Sequence, residues 1–184
     1  MKKIILASGS PRRRELFKRL GIRFKVVPSN VKENLTKSLS PSNLAKRLAY
    51  EKAKTVANKV KEGIVIGADT IVVVYPASHA KERGFTRSRV KGEIIGKPSS
   101  YEDAKRMLRL LSNTTHKVIT AIAIIDAKTK KKLIDYETTT VRIRKIKKDE
   151  IERFARLHLD KQAPTPPRKI TTHLLKRLRV IFLM

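Results

Sequence analysis

Short apolar runs alternate with amphipathic stretches along most of this chain, and that alternation limits the folds it can adopt. The sequence predicts strands in segments 3–8, 23–29, 63–74, 115–126 and 131–146, and helices in segments 10–21, 42–60, 99–112 and 147–158. Strands interleaved with helices predict an α/β fold around one sheet. Because segment 121–141 is typical of a hairpin, we expect a mixed central sheet with flanking helices.

Composition excludes several classes of protein. The chain of 184 residues contains no cysteine, which excludes a disulfide scaffold and thiolate chemistry. The start "MKKIILASGS" has two lysines as a signal peptide would, but its apolar run is too short for an h-region and is followed by arginines. Since no stretch reaches the length of a membrane span either, the sequence predicts a cytoplasmic protein. A net charge of +28 favours anionic partners, but aromatic residues make up only 5% and form no stacking pattern. A nucleic-acid-binding protein is therefore the alternative class, and we expect neither nucleic acid nor membrane as a partner.

The segment "ILASGSPRRR" predicts a strand that turns directly into a helix. Ser10 takes the N-cap position, and a loop that opens a helix points backbone N–H groups at whatever lies in front of it. Ser8 could add a hydroxyl, and Arg12 and Arg13 could add cations suited to phosphate. Two interpretations stay open at this point: an anion site, or an ordinary capped helix with a basic first turn.

Five other segments carry groups capable of chemistry. Asp69 in "GADT" interrupts an apolar strand run, which fits a general base, a metal ligand or a turn residue bonded to its own backbone. Glu33 lies in a polar loop, and Lys52 in "YEKAK" is expected on a solvated helix face. Lys97 in "GEIIGKP" lies in a turn fixed by glycine and proline, whereas His116 in "THKVIT" is expected in a capping or core role.

Taken together, these motifs carry a specific resemblance. "ILASGSPRRREL", "VIGADTIVVV", "GEIIGKP" and "THKVIT" follow one another in an order and spacing that resembles the Maf family of nucleoside triphosphate pyrophosphatases. The resemblance covers residues 1 to about 74 and residues 92 to about 161. The "SPRR" motif is similar to that of the members that hydrolyse dTTP and UTP.

The resemblance implies a fold, an activity and a site. It implies two lobes around a cleft, in the Maf or inosine-triphosphate-pyrophosphatase-like manner, a homodimer, and hydrolysis of the triphosphate to monophosphate and pyrophosphate with a divalent cation, magnesium or manganese. By position, Asp69 matches the proton acceptor and, with Glu33, a metal ligand, whereas Arg12 and Thr70 match positions that select the base. The implied catalytic residues are Asp69, Glu33, Lys52 and Lys97, and the implied substrate-binding residues are Ser8, Ser10, Arg12, Arg13 and Thr70.

Two segments depart from the family pattern. Residues 75–91 form an atypical basic insertion, and residues 161–184 form an atypical basic tail after a Maf-like domain at 1–160. Codons that encode segment 167–182 can also encode EEDNYSPPEKIEGDF in an overlapping frame, an acidic ending similar to that of the family. We therefore hypothesise a frameshift near residues 161–164, with a divergent basic tail as the alternative, and the nucleotide sequence distinguishes the two. Such a loss would impair activity, with an inactive member acting through partner contacts as the alternative.

Overall fold

The structure is a computed structural model, and it describes residues 2–31, 39–75 and 92–159, with the side chains of residues 157–159 left out. Glu33, most of the 75–91 insertion and the 161–184 tail lie outside the described residues. The described elements, in chain order, are β1 (Ile4–Leu6), α1 (Pro11–Arg19), β2 (Phe24–Val26), α2 (Pro41–Ala57), β3 (Ile64–Val74), β4 (Glu93–Ile95), α3 (Tyr101–Leu111), β5 (Thr115–Asp126), β6 (Lys132–Arg142) and α4 (Lys148–Leu159). No helix within the described ranges is long and apolar enough to cross a membrane.

The strands form one mixed sheet, as the sequence predicts. Its order is β2-β1-β3-β5-β6, and β4 also pairs with β3. Strand β1 runs parallel to both β2 and β3, whereas β3 and β4 are antiparallel. Strands β5 and β6 are neighbours joined by a short turn, in agreement with the predicted hairpin. The α/β class is therefore confirmed.

The chain divides into two compact units. The first comprises Met1–Ile71 and Ile119–Thr138, and the second comprises Val72–Val118 and Thr139–Met184. In the first unit, α2 supplies much of the core through Leu44, Leu48 and Val56, none of which is exposed to solvent. In the second unit, α3 packs against α4.

Local signals set the ends of the helices. Helix α1 begins with Pro11 in its first turn, and Gly21 follows the helix with φ +68°, a conformation that glycine adopts without strain. Ser10 occupies the predicted N-cap position, but its side chain makes no capping hydrogen bond. Ser100 does cap α3, because its hydroxyl accepts a hydrogen bond from the Asp103 amide at 3.1 Å. Capping thus explains where α3 begins, whereas α1 relies on proline.

Strand β3 lies in the predicted strand segment 63–74, but it runs without a break. The sequence predicts an interruption at residues 67–69, but β3 continues through all 11 residues and Asp69 lies within it. Gly67 permits this course, because an added Cβ there would lie 2.6 Å from the Ala53 amide nitrogen and 2.9 Å from the Ala53 Cβ. The glycine therefore serves close packing of α2 on β3, and the interpretation of Asp69 as a turn residue is wrong.

Candidate active site

A buried ion pair joins helix α2 to strand β3. The Lys52 ammonium donates a hydrogen bond of 2.5 Å to Oδ1 of Asp69. Lys52 is 8% exposed and Asp69 is 5% exposed. The local pattern around Lys52 predicts a solvated helix face, and that prediction is wrong because this position of α2 faces the sheet. A buried charge pair requires mutual compensation, so neither partner can be removed without leaving the other charge poorly solvated.

The close approach of α2 to β3 makes this pair possible. Helix α2 meets the strand at Gly67, with Ala49 and Ala53 as the neighbours of that glycine. Lys52 lies between these two alanines in the helix, and Asp69 lies two residues after Gly67, on the same face of the strand. Small residues at the crossing thus bring the ammonium within reach of the carboxylate.

The corner between β1 and α1 forms a second polar group. The Ser8 hydroxyl accepts a hydrogen bond of 3.1 Å from Nη1 of Arg13 and lies 3.3 Å from the Ser10 amide nitrogen. Ser8 is buried, Arg13 is half-buried and Arg12 is exposed. The arrangement places two guanidinium groups in the first turn of α1, where backbone N–H groups also favour an anion.

Thr70 follows Asp69 and is exposed, as the alternation of side chains along a strand requires. Its hydroxyl lies 3.2 Å from that of Thr120 on β5, within hydrogen-bond distance. Thr120 is not among the residues that the sequence analysis identifies. No local motif marks it, because its proximity to Thr70 depends on the register between β3 and β5.

Two further candidates follow, one in the second unit and one outside the described residues. Lys97 is exposed and follows β4 in the second unit. Glu33 is outside the described residues. His116 is 5% exposed, in agreement with a core role. Within ranges 2–31, 39–75 and 92–159, no cluster of three or more histidine, aspartate or glutamate side chains could hold a metal ion.

Comparison with known proteins identifies the family. The family of Maf-like proteins matches residues 3–162. This chain belongs to the Maf-like family. Among its Maf-like relatives, the dTTP/UTP pyrophosphatase of Alkaliphilus oremlandii is 44% identical over 155 residues, which cover 84% of this chain and 72% of the relative. The dTTP/UTP pyrophosphatase of Bacillus cereus is 42% identical over 154 residues, covering 84% and 71%.

A solved structure also superimposes on part of this Maf-like chain. A HAM1 protein from Coxiella burnetii superimposes with a TM-score of 0.46 and 16% sequence identity, covering 77% of this chain and 73% of the other. The family resemblance stated from the motifs is confirmed by the match over residues 3–162. The domain boundary at residue 160 and the frameshift hypothesis stay predictions.

Proposed function

We propose that this Maf-like protein is a nucleoside triphosphate pyrophosphatase that converts dTTP or UTP to the monophosphate and pyrophosphate. The observation that carries the proposal is the buried pair of Lys52 and Asp69 in a chain whose relatives, 38–44% identical, are named dTTP/UTP pyrophosphatases. A carboxylate held inside a strand by one ammonium suits a reaction that requires a fixed proton acceptor.

Asp69 serves as the proton acceptor in this proposal. The oxygen of a water molecule attacks the α-phosphorus, the bond from that phosphorus to the bridging oxygen breaks, and pyrophosphate leaves. The proton of the attacking water passes to the carboxylate of Asp69. Because Lys52 binds Oδ1, it fixes the orientation of the carboxylate, which directs Oδ2 to the water. Lys52 thereby acts as a positioning residue for Asp69.

The β1–α1 corner binds the triphosphate in this proposal. Arg13 is oriented by the hydroxyl of the buried Ser8 and supplies charge to the phosphate chain, while Ser10, whose side chain makes no capping hydrogen bond, offers its hydroxyl at the start of α1. Arg12 and Thr70 contact the base, with Lys97 as a further cation for the leaving pyrophosphate. Removal of one well-placed charge donor of this kind typically lowers the rate by a factor on the order of 10²–10³.

A divalent cation, magnesium or manganese, fits the donors only in part. Magnesium is commonly held by one or two carboxylates together with substrate phosphates, and among the described candidates Asp69 supplies one such carboxylate. Glu33 is the second proposed ligand. When bound, the cation neutralises charge on the phosphate oxygens.

The experiment is an identification of products. The full chain is incubated with dTTP, UTP or CTP and magnesium, and nucleotides are separated by ion-exchange chromatography. The proposal predicts dTMP and UMP with pyrophosphate, and slower turnover of CTP. Release of the diphosphate with orthophosphate would contradict it, because the γ-phosphorus would then be the atom attacked.

Three further features accompany the proposal. We propose a homodimer, which light scattering coupled to size-exclusion chromatography tests. The nucleotide substrate and the absence of cysteine from the sequence support a cytoplasmic location.

A frameshifted tail would remove part of the wall that recognises the base. A chain that carries the acidic ending EEDNYSPPEKIEGDF in place of the basic tail should then turn over dTTP faster than this one.

A further inference from the structure

The turn between β5 and β6 carries a dense group of lysines. Residues 127–132 read "AKTKKK", and the four lysines of this stretch are all exposed. Asp126 stabilises the turn, because its carboxylate accepts hydrogen bonds from the amides of Lys128 at 2.9 Å and Thr129 at 3.2 Å. A hydrogen bond from Lys2 lowers the pKa of Asp126 to about 2, so the carboxylate remains charged at neutral pH. The lysines therefore project from a well-defined turn.

Helix α2 and strand β6 add lysines and aromatic rings to this surface. The Tyr50 ring lies 4.7 Å from the Lys132 ammonium and 5.7 Å from that of Lys54. The Tyr136 ring, on a residue that is 39% exposed, lies 5.3 Å from the Lys46 ammonium. Cation–π contacts of this kind hold the ammonium groups beside the ring faces. Two tyrosines distant in sequence thus lie among lysines only after folding.

We define the hairpin lysine cluster as Lys54, Lys128, Lys131 and Lys132. Among the residues that the structure describes, no carboxylate forms an ion pair with any of the four. The carboxylate of Asp126 is engaged by Lys2 at 2.7 Å. The cluster is consequently a region of concentrated positive charge, which attracts a polyanion.

This surface is distinct from the candidate active site. The amide of Ala127 donates to the carbonyl of Gly63 at 2.9 Å, which places the turn beside the start of β3. Asp69 lies six residues further along that strand. At roughly 3.3 Å per residue the separation is about 20 Å, so a polyanion on the hairpin need not occupy the site around Asp69.

We propose that the hairpin lysine cluster binds the phosphate backbone of single-stranded nucleic acid, with the exposed ring of Tyr136 as a platform for a base. A positively charged surface combined with aromatic side chains is the usual arrangement for sequence-independent binding of single strands. A membrane surface is disfavoured, because residues 127–132 carry no large apolar side chain and, among the described residues, Leu133 is the one large aliphatic side chain exposed beside them. The proposal revises, for this surface, the expectation from composition that nucleic acid is not a partner.

The test measures binding of a fluorescein-labelled oligothymidylate by anisotropy across a salt series. The turn variant carries Lys128→Gln, Lys131→Gln and Lys132→Gln. A matched control removes three exposed charges from α1 and the β2 region of the same unit: Lys18→Gln, Arg23→Gln and Lys25→Gln. Both variants retain the basic segments 75–91 and 161–184, so those segments contribute equally to each.

Each lysine that neutralises a phosphate adds about 0.7 to the slope of log affinity against log salt for single strands, so the turn variant should lose about 2 from this slope. The control variant should keep most of it. Tyr136→Leu should weaken binding by on the order of 10-fold, whereas Tyr136→Phe, which keeps the ring, should not. Hydrolysis of dTTP should remain unchanged in the turn variant. A failure of the nucleic-acid proposal can therefore be distinguished from a failure of the proposed pyrophosphatase function.

Three results would overturn the inference. One is equal loss of slope in the turn and control variants, because the binding would then reflect total charge alone. Another is absence of oligonucleotide binding at low salt. The third is a turn variant that loses affinity for vesicles containing phosphatidylglycerol but keeps its affinity for the oligonucleotide. That result would assign the cluster to an anionic lipid surface.

Discussion

Replacement of Gly67 by alanine tests whether the packing of α2 on β3 creates the candidate site. The added methyl group would lie 2.6 Å from the Ala53 amide nitrogen and 2.9 Å from the Ala53 Cβ, and it would also meet the Ala49 carbonyl oxygen. Real Cβ atoms do not approach backbone atoms this closely, so α2 must move away from the strand. Lys52, on the same helix, would then move away from Asp69.

Two effects set the magnitude of this change. Overpacking of a close contact costs about 1–3 kcal/mol, and replacement of glycine returns roughly 0.4–1 kcal/mol by restricting the unfolded chain. The net loss in the free energy of unfolding is about 1–2 kcal/mol, which lowers Tm by about 2–8 °C for a chain of this size. Activity should fall further than stability, because the carboxylate loses its fixed orientation.

Circular dichroism melting and dTTP turnover measure the two effects. Gly9→Ala is the stability control, since a Cβ on Gly9 would have no heavy atom within 4 Å among the described residues. We expect the Gly9→Ala protein to melt at or slightly above the wild-type temperature. A Gly67→Ala protein with wild-type Tm and wild-type turnover would refute the packing argument.

The remaining predictions concern the ion pairs and one helix cap. Lys52→Met should lower the free energy of unfolding by about 3–5 kcal/mol in chemical denaturation, because it leaves the buried Asp69 carboxylate uncompensated. A hydrogen bond from Lys2 lowers the pKa of Asp126 to about 2, below its ordinary value of 3.8. The stability that this ion pair contributes is therefore present above pH 4 and is lost as the pH falls towards 2. Thermal melting at several pH values measures the loss. Ser100→Ala should cost about 1 kcal/mol of unfolding free energy, because it removes the cap of α3.

Matched variants make these predictions specific. Lys52→Met combined with Asp69→Asn should recover part of the lost stability, and an equal or larger loss in the double variant would contradict the pairing. Asp126→Asn should flatten the acid side of the Tm profile; an unchanged profile would contradict the assigned pKa. Ser10→Ala should cost less than Ser100→Ala, since the Ser10 side chain makes no capping bond.

Local sequence signals predict most elements, because helix starts and strand patterns depend on neighbouring residues. Ser100 and Pro11 mark the starts of α3 and α1, and the β5–β6 hairpin follows from its apolar pattern. The burial of Lys52 could not be predicted from its helix, because that burial depends on how closely α2 approaches Gly67. The family resemblance, and not the local pattern, indicates Lys52 as a site residue.

The wrong prediction of an interruption at Asp69 has the same cause, because the local sequence does not show which element packs against a segment. Glycine followed by a carboxylate is typical of a turn when the chain is considered locally, but here the glycine accommodates a helix and the carboxylate meets an ammonium. The contact of Thr120 could not be predicted from the sequence for a related reason. Its hydroxyl meets that of Thr70 only through strand pairing, and pairing register is a property of the whole sheet.

The most direct test of the proposed function is the turnover number of Asp69→Asn with dTTP and magnesium. Asparagine keeps the shape of the side chain and can still accept a hydrogen bond from Lys52, but it cannot take a proton from water. Glu15→Gln, which removes an exposed carboxylate of the same unit, is the control. We predict that kcat per folded molecule falls by a factor on the order of 10²–10⁴ in Asp69→Asn and matches the wild type in Glu15→Gln. Because Asp69→Asn removes the carboxylate that compensates the buried Lys52 ammonium, circular dichroism measures the folded fraction of each variant at the assay temperature. Wild-type turnover by a folded Asp69→Asn protein would contradict the assignment of Asp69 as the proton acceptor.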